Sequence, residues 1–200
     1  MKVSKYNRIA VAFALASLVA SVAAQQRLVV GIVVDQLQTD YVELLRDRFC
    51  SGGFNRLINN GVYFDNIEFD CANVDAASGT AMVMTGSYAN INGIPSASVF
   101  NLSKRASEPI LYDPQIVGHN TSEKFSPERL KVSTLSDEVR VNNGGLGYVY
   151  SIAADAQMAV LLAGHAANSA FWIDDATGKW ASSSFYKEQP QCVGNRNHTS

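Results

Sequence analysis

The 200-residue chain is sparing with the side chains that most often build metal and redox sites: it has three cysteines and three histidines. His119, His165 and His198 belong to no H-x-x-x-H or D-x-x-x-H pattern, so no metal site is written on a single helix face. Gly164-His165 reads as a hydrogen-bonded structural histidine rather than a ligand. Cys50, Cys71 and Cys192 match no zinc template. An odd count leaves one thiol over or pairs it between chains. A Cys50–Cys71 bridge and a set of buried small hydrophobes are both open. Charge is scarce too, at 17%, and 16 bases stand against 18 acids. That balance excludes a nucleic-acid binder working through a basic surface and a polybasic membrane-surface protein. Repeats and low-complexity tracts are absent. Hydrophobic residues make up 47%, enough for one packed domain.

The one long apolar run is Ile9 to Val22, short for a bilayer span. Lys2, Lys5 and Arg8 precede it, and Val22-Ala23-Ala24 follows with small residues at the −3 and −1 positions of a cleavage site. Residues 1–24 are therefore expected to be a secretory signal peptide, with a retained anchor as the alternative. The mature chain would start at Gln25, carry 13 bases and 18 acids, and meet an oxidising, secreted or periplasmic setting with no transmembrane segment.

Arg27 to Val34 (RLVVGIVV) is a continuous β-branched run, expected as a strand buried on both faces. Asp40 and Glu43 suggest a capping-box start to a helix through Phe49. Phe54, Leu57 and Ile58 predict a short helix ending at Gly61, and Val62 to Phe69 predicts a strand. Ala77 to Gly86 predicts a helix of small residues. Residues 100–125 read as a long irregular connection. Ser126-Pro127-Glu128 predicts a helix start, with the helical pattern running to Arg140. Tyr148 to Ile152 predicts a strand, and 171–186 a β-hairpin about Asp174–Gly178. Strand, helix and strand in this order point to an α/β fold.

Asp35 ends the first expected strand, where ligands of open α/β sheets gather, so it is a metal-ligand candidate or a loop cap. The helix start near Ala77 could receive an anion on its free N–H groups, or be only a tightly packed Gly/Ala helix.

The run LVVGIVVDQLQTDYVELLRDRFCSGGFNRLINNGVYFDNIEF resembles the opening of the alkaline phosphatase superfamily. The branch is that of periplasmic alkaline phosphatases grouped with type I phosphodiesterases and nucleotide pyrophosphatases. MTGSYANINGI, SPERLKVSTLSDEVR and AGHAANSAFWIDDATGKW continue the likeness in order and spacing. The resemblance implies an α/β sandwich with a mainly parallel central sheet and helices on both faces, of which residues 25–200 are an N-terminal part. It implies two zinc ions, phosphate mono- or diester substrates, and a covalent phospho-Thr or phospho-Ser. Asp35 matches the first metal ligand.

Other positions depart from the pattern. Counting back from Gly86, the nucleophile position is Ala76, which has no hydroxyl. The phosphoryl-binding Asn position is Ala97, and the Lys and Arg positions fall on Asp155 and Gln157. Relatives are more than twice as long, with most metal ligands in the second half. The expectation is a catalytically incompetent member in which the zinc centre is not completed. Two alternatives stand: an active hydrolase using Ser78 or Thr80 as a shifted nucleophile in a longer parent protein, and a non-catalytic periplasmic binding module.

Overall fold

The computed structural model describes residues 28–72, 74–187 and 191–198. The expected signal peptide and its cleavage site lie outside them. The chain divides into an N-terminal unit ending at Val34 and a larger unit from Asp35 onward.

In the N-terminal unit, residues 28–34 are irregular and exposed rather than a strand. An all-apolar run is stable as a strand only when both edges and faces are covered, and this run forms no ladder. Within the larger unit, Val62 to Phe69 is likewise irregular, with Val62, Phe64 and Ile67 exposed.

Helix α1 (Thr39–Leu44) starts at Gln38 without a side-chain cap, so the expected Asp40–Glu43 capping box does not form. Thr39 Oγ1 donates instead to the Asp65 carbonyl at 3.0 Å. A 3-10 turn (Arg46–Arg48) carries the chain to Phe49. Helix α2 (Phe54–Asn60) stops at Gly61. Helices α3 (Ala76–Thr85) and α4 (Ala89–Asn92) follow, each closed by a left-handed glycine, Gly86 and Gly93.

The expected irregular connection contains strands. β1 (Ser98–Asn101) and β2 (Ala106–Pro109) form an antiparallel hairpin. Its sequence is polar, and its faces are at most half-buried, so no apolar alternation marks it. After β3 (Gly118–His119), Ser126 caps only a 3-10 turn (Pro127–Arg129). The chain is then extended to Thr134, which caps α5 (Leu135–Asn142) through a capping box with Asp137. The single helix expected to Arg140 is therefore two pieces.

Strand β4 (Tyr150–Ile152) leads to α6 (Ala156–Ala163), a helix that the sequence pattern does not announce. β5 (Ser169–Ile173) and β6 (Trp180–Ser183) pair antiparallel, and α7 (Gln191–His198) contacts β6. The sheet is mixed: order β3-β6-β5-β4, with β4 and β5 parallel. The fold is α/β. Its core gathers around α6, with Val160, Leu161, Ala170 and Trp172 fully buried together with Ala77 and Ala81 of α3.

Cys50 and Cys71 are exposed and not bridged to each other. Cys50 Sγ lies 3.7 Å from the Gly52 carbonyl, and Cys71 Sγ 3.9 Å from Met82 Sδ. Neither expectation for these two, a bridge or burial, matches their positions; the Cys192 side chain is outside the described residues.

Candidate active site

The start of α3 is set by Asp75. Asx side chains favour this position because they accept the first free N–H groups of a helix. Asp75 Oδ1 accepts from Ser78 N at 2.8 Å, and Ser78 Oγ accepts from Asp75 N at 2.9 Å, a reciprocal capping box. Small residues then let α3 lie close on α6, with Ala77, Ala81 and Ala159 wholly buried.

The same carboxylate reaches across the chain. Asp75 Oδ2 accepts from Ala97 N at 2.7 Å. Partial burial works to raise the Asp75 carboxyl, but the bonds from Ser78 and Ala97 outweigh it and hold the group below its ordinary range. Ala97 is held a second time: its carbonyl accepts from Gln157 Nε2 at 3.1 Å. Gln157 Oε1 in turn accepts from Leu111 N at 3.3 Å. Asp75, Ala97 and Gln157, far apart in sequence, thus meet in one hydrogen-bonded frame, and Ala76 follows Asp75 as the first residue of α3. Asp155 stands apart from that chain of bonds: it is exposed and caps α6, accepting from Met158 N at 2.9 Å.

The hydroxyls nearest the helix start point inward. Ser78 is 1% exposed and its Oγ donates to Asp75 Oδ1 at 2.9 Å. Thr80 is 6% exposed, with Oγ1 3.3 Å from Met158 Sδ. Asp35 is exposed, and Gln36 Nε2 donates to it at 3.4 Å. Among the described residues, no three His, Cys, Asp or Glu side chains gather as a metal-binding group. Asp35 alone does not fit a zinc ion, which takes four ligands.

Sequence reasoning passed over Asp75, although Asp-x-x-Ser before a small-residue run is a readable cap. It also passed over the bond between Asp137 and His165. Nothing in their spacing announces that contact, which depends on the turn after α6.

The family model for type I phosphodiesterase / nucleotide pyrophosphatase matches residues 29–198. Alkaline phosphatase PhoV of Synechococcus elongatus is 36% identical over 83% of this chain and 31% of its own length. A protein of Myroides odoratus named calcium-transporting ATPase is 33% identical over 90% of this chain and 34% of its own. The crystal structure of wild-type alkaline phosphatase PafA, a protein of Elizabethkingia meningoseptica, superposes with a TM-score of 0.80 at 30% identity, over 86% of this chain and 34% of that one. A PafA variant changed at one threonine, one asparagine, one lysine and one arginine gives 0.77. This chain spans about a third of the length of these relatives. With the match running through nearly all of the described residues, the chain belongs to the type I phosphodiesterase / nucleotide pyrophosphatase family of the alkaline phosphatase superfamily.

Proposed function

We propose that this chain is an exported member of the family that does not turn over phosphate esters. The observation that carries the reading is Ala76. It opens α3 with a methyl group where a phosphoryl-transfer enzyme of this kind needs an oxygen in line with the leaving group. Support comes from the PafA variant: its altered threonine and asparagine are as far apart as Ala76 and Ala97, and its altered lysine and arginine as far apart as Asp155 and Gln157. Those residue types suit phosphoryl chemistry, the hydroxyl as nucleophile and the others as stabilisers of developing charge. Alanine, aspartate and glutamine do not replace them.

Two further observations favour the same reading. The Ser78 N–H at the start of α3 is occupied by the Asp75 carboxylate, so this terminus offers a fixed negative charge to an arriving phosphate. Among the described residues, no pair of His, Cys, Asp or Glu joins Asp35 to form a metal-binding group. The 200-residue chain is expected to hold zinc weakly and without defined stoichiometry.

Export rests on residues 1–24, with the partial phosphatase-like domain, 25–200, placed in the periplasm or outside the cell. Among the described residues no helix is long and apolar enough to cross a membrane. The ligand class is a phosphate ester, bound without turnover. The alternative with Ser78 as nucleophile is disfavoured because its hydroxyl is buried in the helix cap.

The test is hydrolysis of an aryl phosphate by the purified chain with and without zinc. The expected result is no turnover above background. Zinc-dependent hydrolysis abolished by Ser78→Ala, and indifferent to changes at Ala76, would overturn the reading and assign the shifted nucleophile.

A further inference from the structure

Asp137, the third residue of α5, is 4% exposed yet ionised. Its carboxylate collects five donors. Oδ1 accepts from His165 N at 2.8 Å and Ala166 N at 2.7 Å. Oδ2 accepts from Thr134 N at 2.8 Å, Thr134 Oγ1 at 3.0 Å and His165 Nδ1 at 3.2 Å. Burial alone would raise this carboxyl, but the bonds from His165, Thr134 and Ala166 bring it to about 2.

The other ring nitrogen, His165 Nε2, is 2.9 Å from the Leu130 carbonyl oxygen. A carboxylate and a carbonyl both only accept hydrogen bonds. The ring therefore satisfies both contacts only when both nitrogens carry hydrogen, as an imidazolium. A neutral ring keeping its proton at Nδ1 would face Leu130 O with a lone pair. The Asp137 carboxylate raises His165 above its usual value, against the effect of burial. The side chain is 38% exposed, so water reaches the ring.

The contact to Leu130 joins two pieces of chain that are otherwise linked through Asp137 of α5, at the Thr134 end. One is the turn after α6; the other is the extended connection after Arg129. The same connection is tied to α4, for Lys131 N donates to Asn92 O at 2.9 Å. The titratable groups on the elements packed about the ring are Asp137, Glu138 and Arg140 of α5, Glu128, Arg129 and Lys131 of the connection, and Tyr186 beyond β6; Arg140 donates to Gly147 O and Asn168 Oδ1. Glu138 is engaged by Ser133 Oγ, and the buried Tyr186 hydroxyl donates to Gly164 O. Only Asp137 among them bonds the ring.

We propose that His165 is a proton-operated latch: as imidazolium it fastens Leu130 and the adjoining Lys131 to the turn after α6, and on losing its Nε2 proton it releases that end of the connection, while Asp137 keeps the Thr134 end on the turn. The sign follows from linkage. A group bound more tightly in its protonated form contributes fully below its free pKa, and the contribution is lost as pH rises through the higher closed-state value. The latch is closed in mildly acidic solution and opens as pH rises. Opening changes about tenfold for each unit by which the closed-state pKa exceeds the open-state one.

The test is an NMR titration of the ring carbons of the full chain, with amide exchange followed at Lys131 and corrected for base catalysis. The expected result is a His165 midpoint above that of a free histidine, with Lys131 losing protection over the same pH range, while amides of α6 do not. His165→Gln, which keeps a neutral donor, should remove the pH dependence at Lys131. A midpoint at or below the free value, or Lys131 protection that does not follow His165, would overturn the latch. Both outcomes are read on the unaltered chain, so the test stands even if the variant fails to fold.

Discussion

Ala76 and Asp75 are neighbours with opposite consequences. Ala76 lacks the oxygen that the proposed reading assigns to the family nucleophile. Asp75 supplies the cap that fixes where Ala76 and Ala97 stand. Restoring one hydroxyl by Ala76→Thr is expected to yield little activity, because Ala97, Asp155 and Gln157 remain; groups that act as a unit are far from additive. Replacing Asp75 by Ala is expected to destabilise the chain by about 1 kcal/mol or somewhat more, since a helix cap and a bond across the chain are lost together. Urea unfolding checks this. Because the Asp75 carboxyl lies below its ordinary range, its contribution is present above the unfolded carboxylate value and is lost as pH falls through the lower folded one. The penalty of the variant should therefore shrink in strong acid. Gly164 is a second single-residue test. Its φ is +71°, and an added Cβ would meet Thr134 Oγ1, with Asp137 Oδ2 at 2.6 Å and Oδ1 at 2.7 Å. Gly164→Ala should cost roughly 2 kcal/mol or more through strain and loss of that cap.

Helices differ sharply in what they bury. α6 reads AQMAVLLA and is apolar nearly all round, because it packs on β4, β5 and α3 at once. Such a helix has no amphipathic period, which is why periodicity did not show it. α3 and the 126–140 region were easier to place, since Gly86 and Ser126 mark helix ends in the residues themselves. Thr134 was not singled out, so the break between the 3-10 turn and α5 went unseen. The two runs expected as strands, 27–34 (described from residue 28) and 62–69, show the converse. Their β-branched pattern states a preference, but a strand exists only with a partner to pair with. Leu161→Ala in α6 should cost about 2–5 kcal/mol, as for a buried leucine leaving a cavity. Leu57→Ala in α2, where the side chain is 64% exposed, should stay within about 0.5 kcal/mol. Thermal denaturation of the two variants side by side separates the packed element from the uncovered one.

Across the molecule, the order of the recognised blocks revealed the family, and single positions such as Ala76 could be counted off. The site itself could not be read that way. The bonds between Asp75 and Ala97, between Gln157 and both Ala97 and Leu111, and between His165 and both Asp137 and Leu130 each join distant segments. Spacing along a chain does not encode which loops cross. One absence of chemistry is central, the missing oxygen at position 76. In the proposed reading the family reaction passes through a phosphorylated hydroxyl, so intact-mass analysis after incubation with an aryl phosphate and zinc tests that absence directly. The chain is predicted to keep its unmodified mass. One phosphoryl group per chain, mapped by peptide sequencing to Ser78 or Thr80, would contradict it.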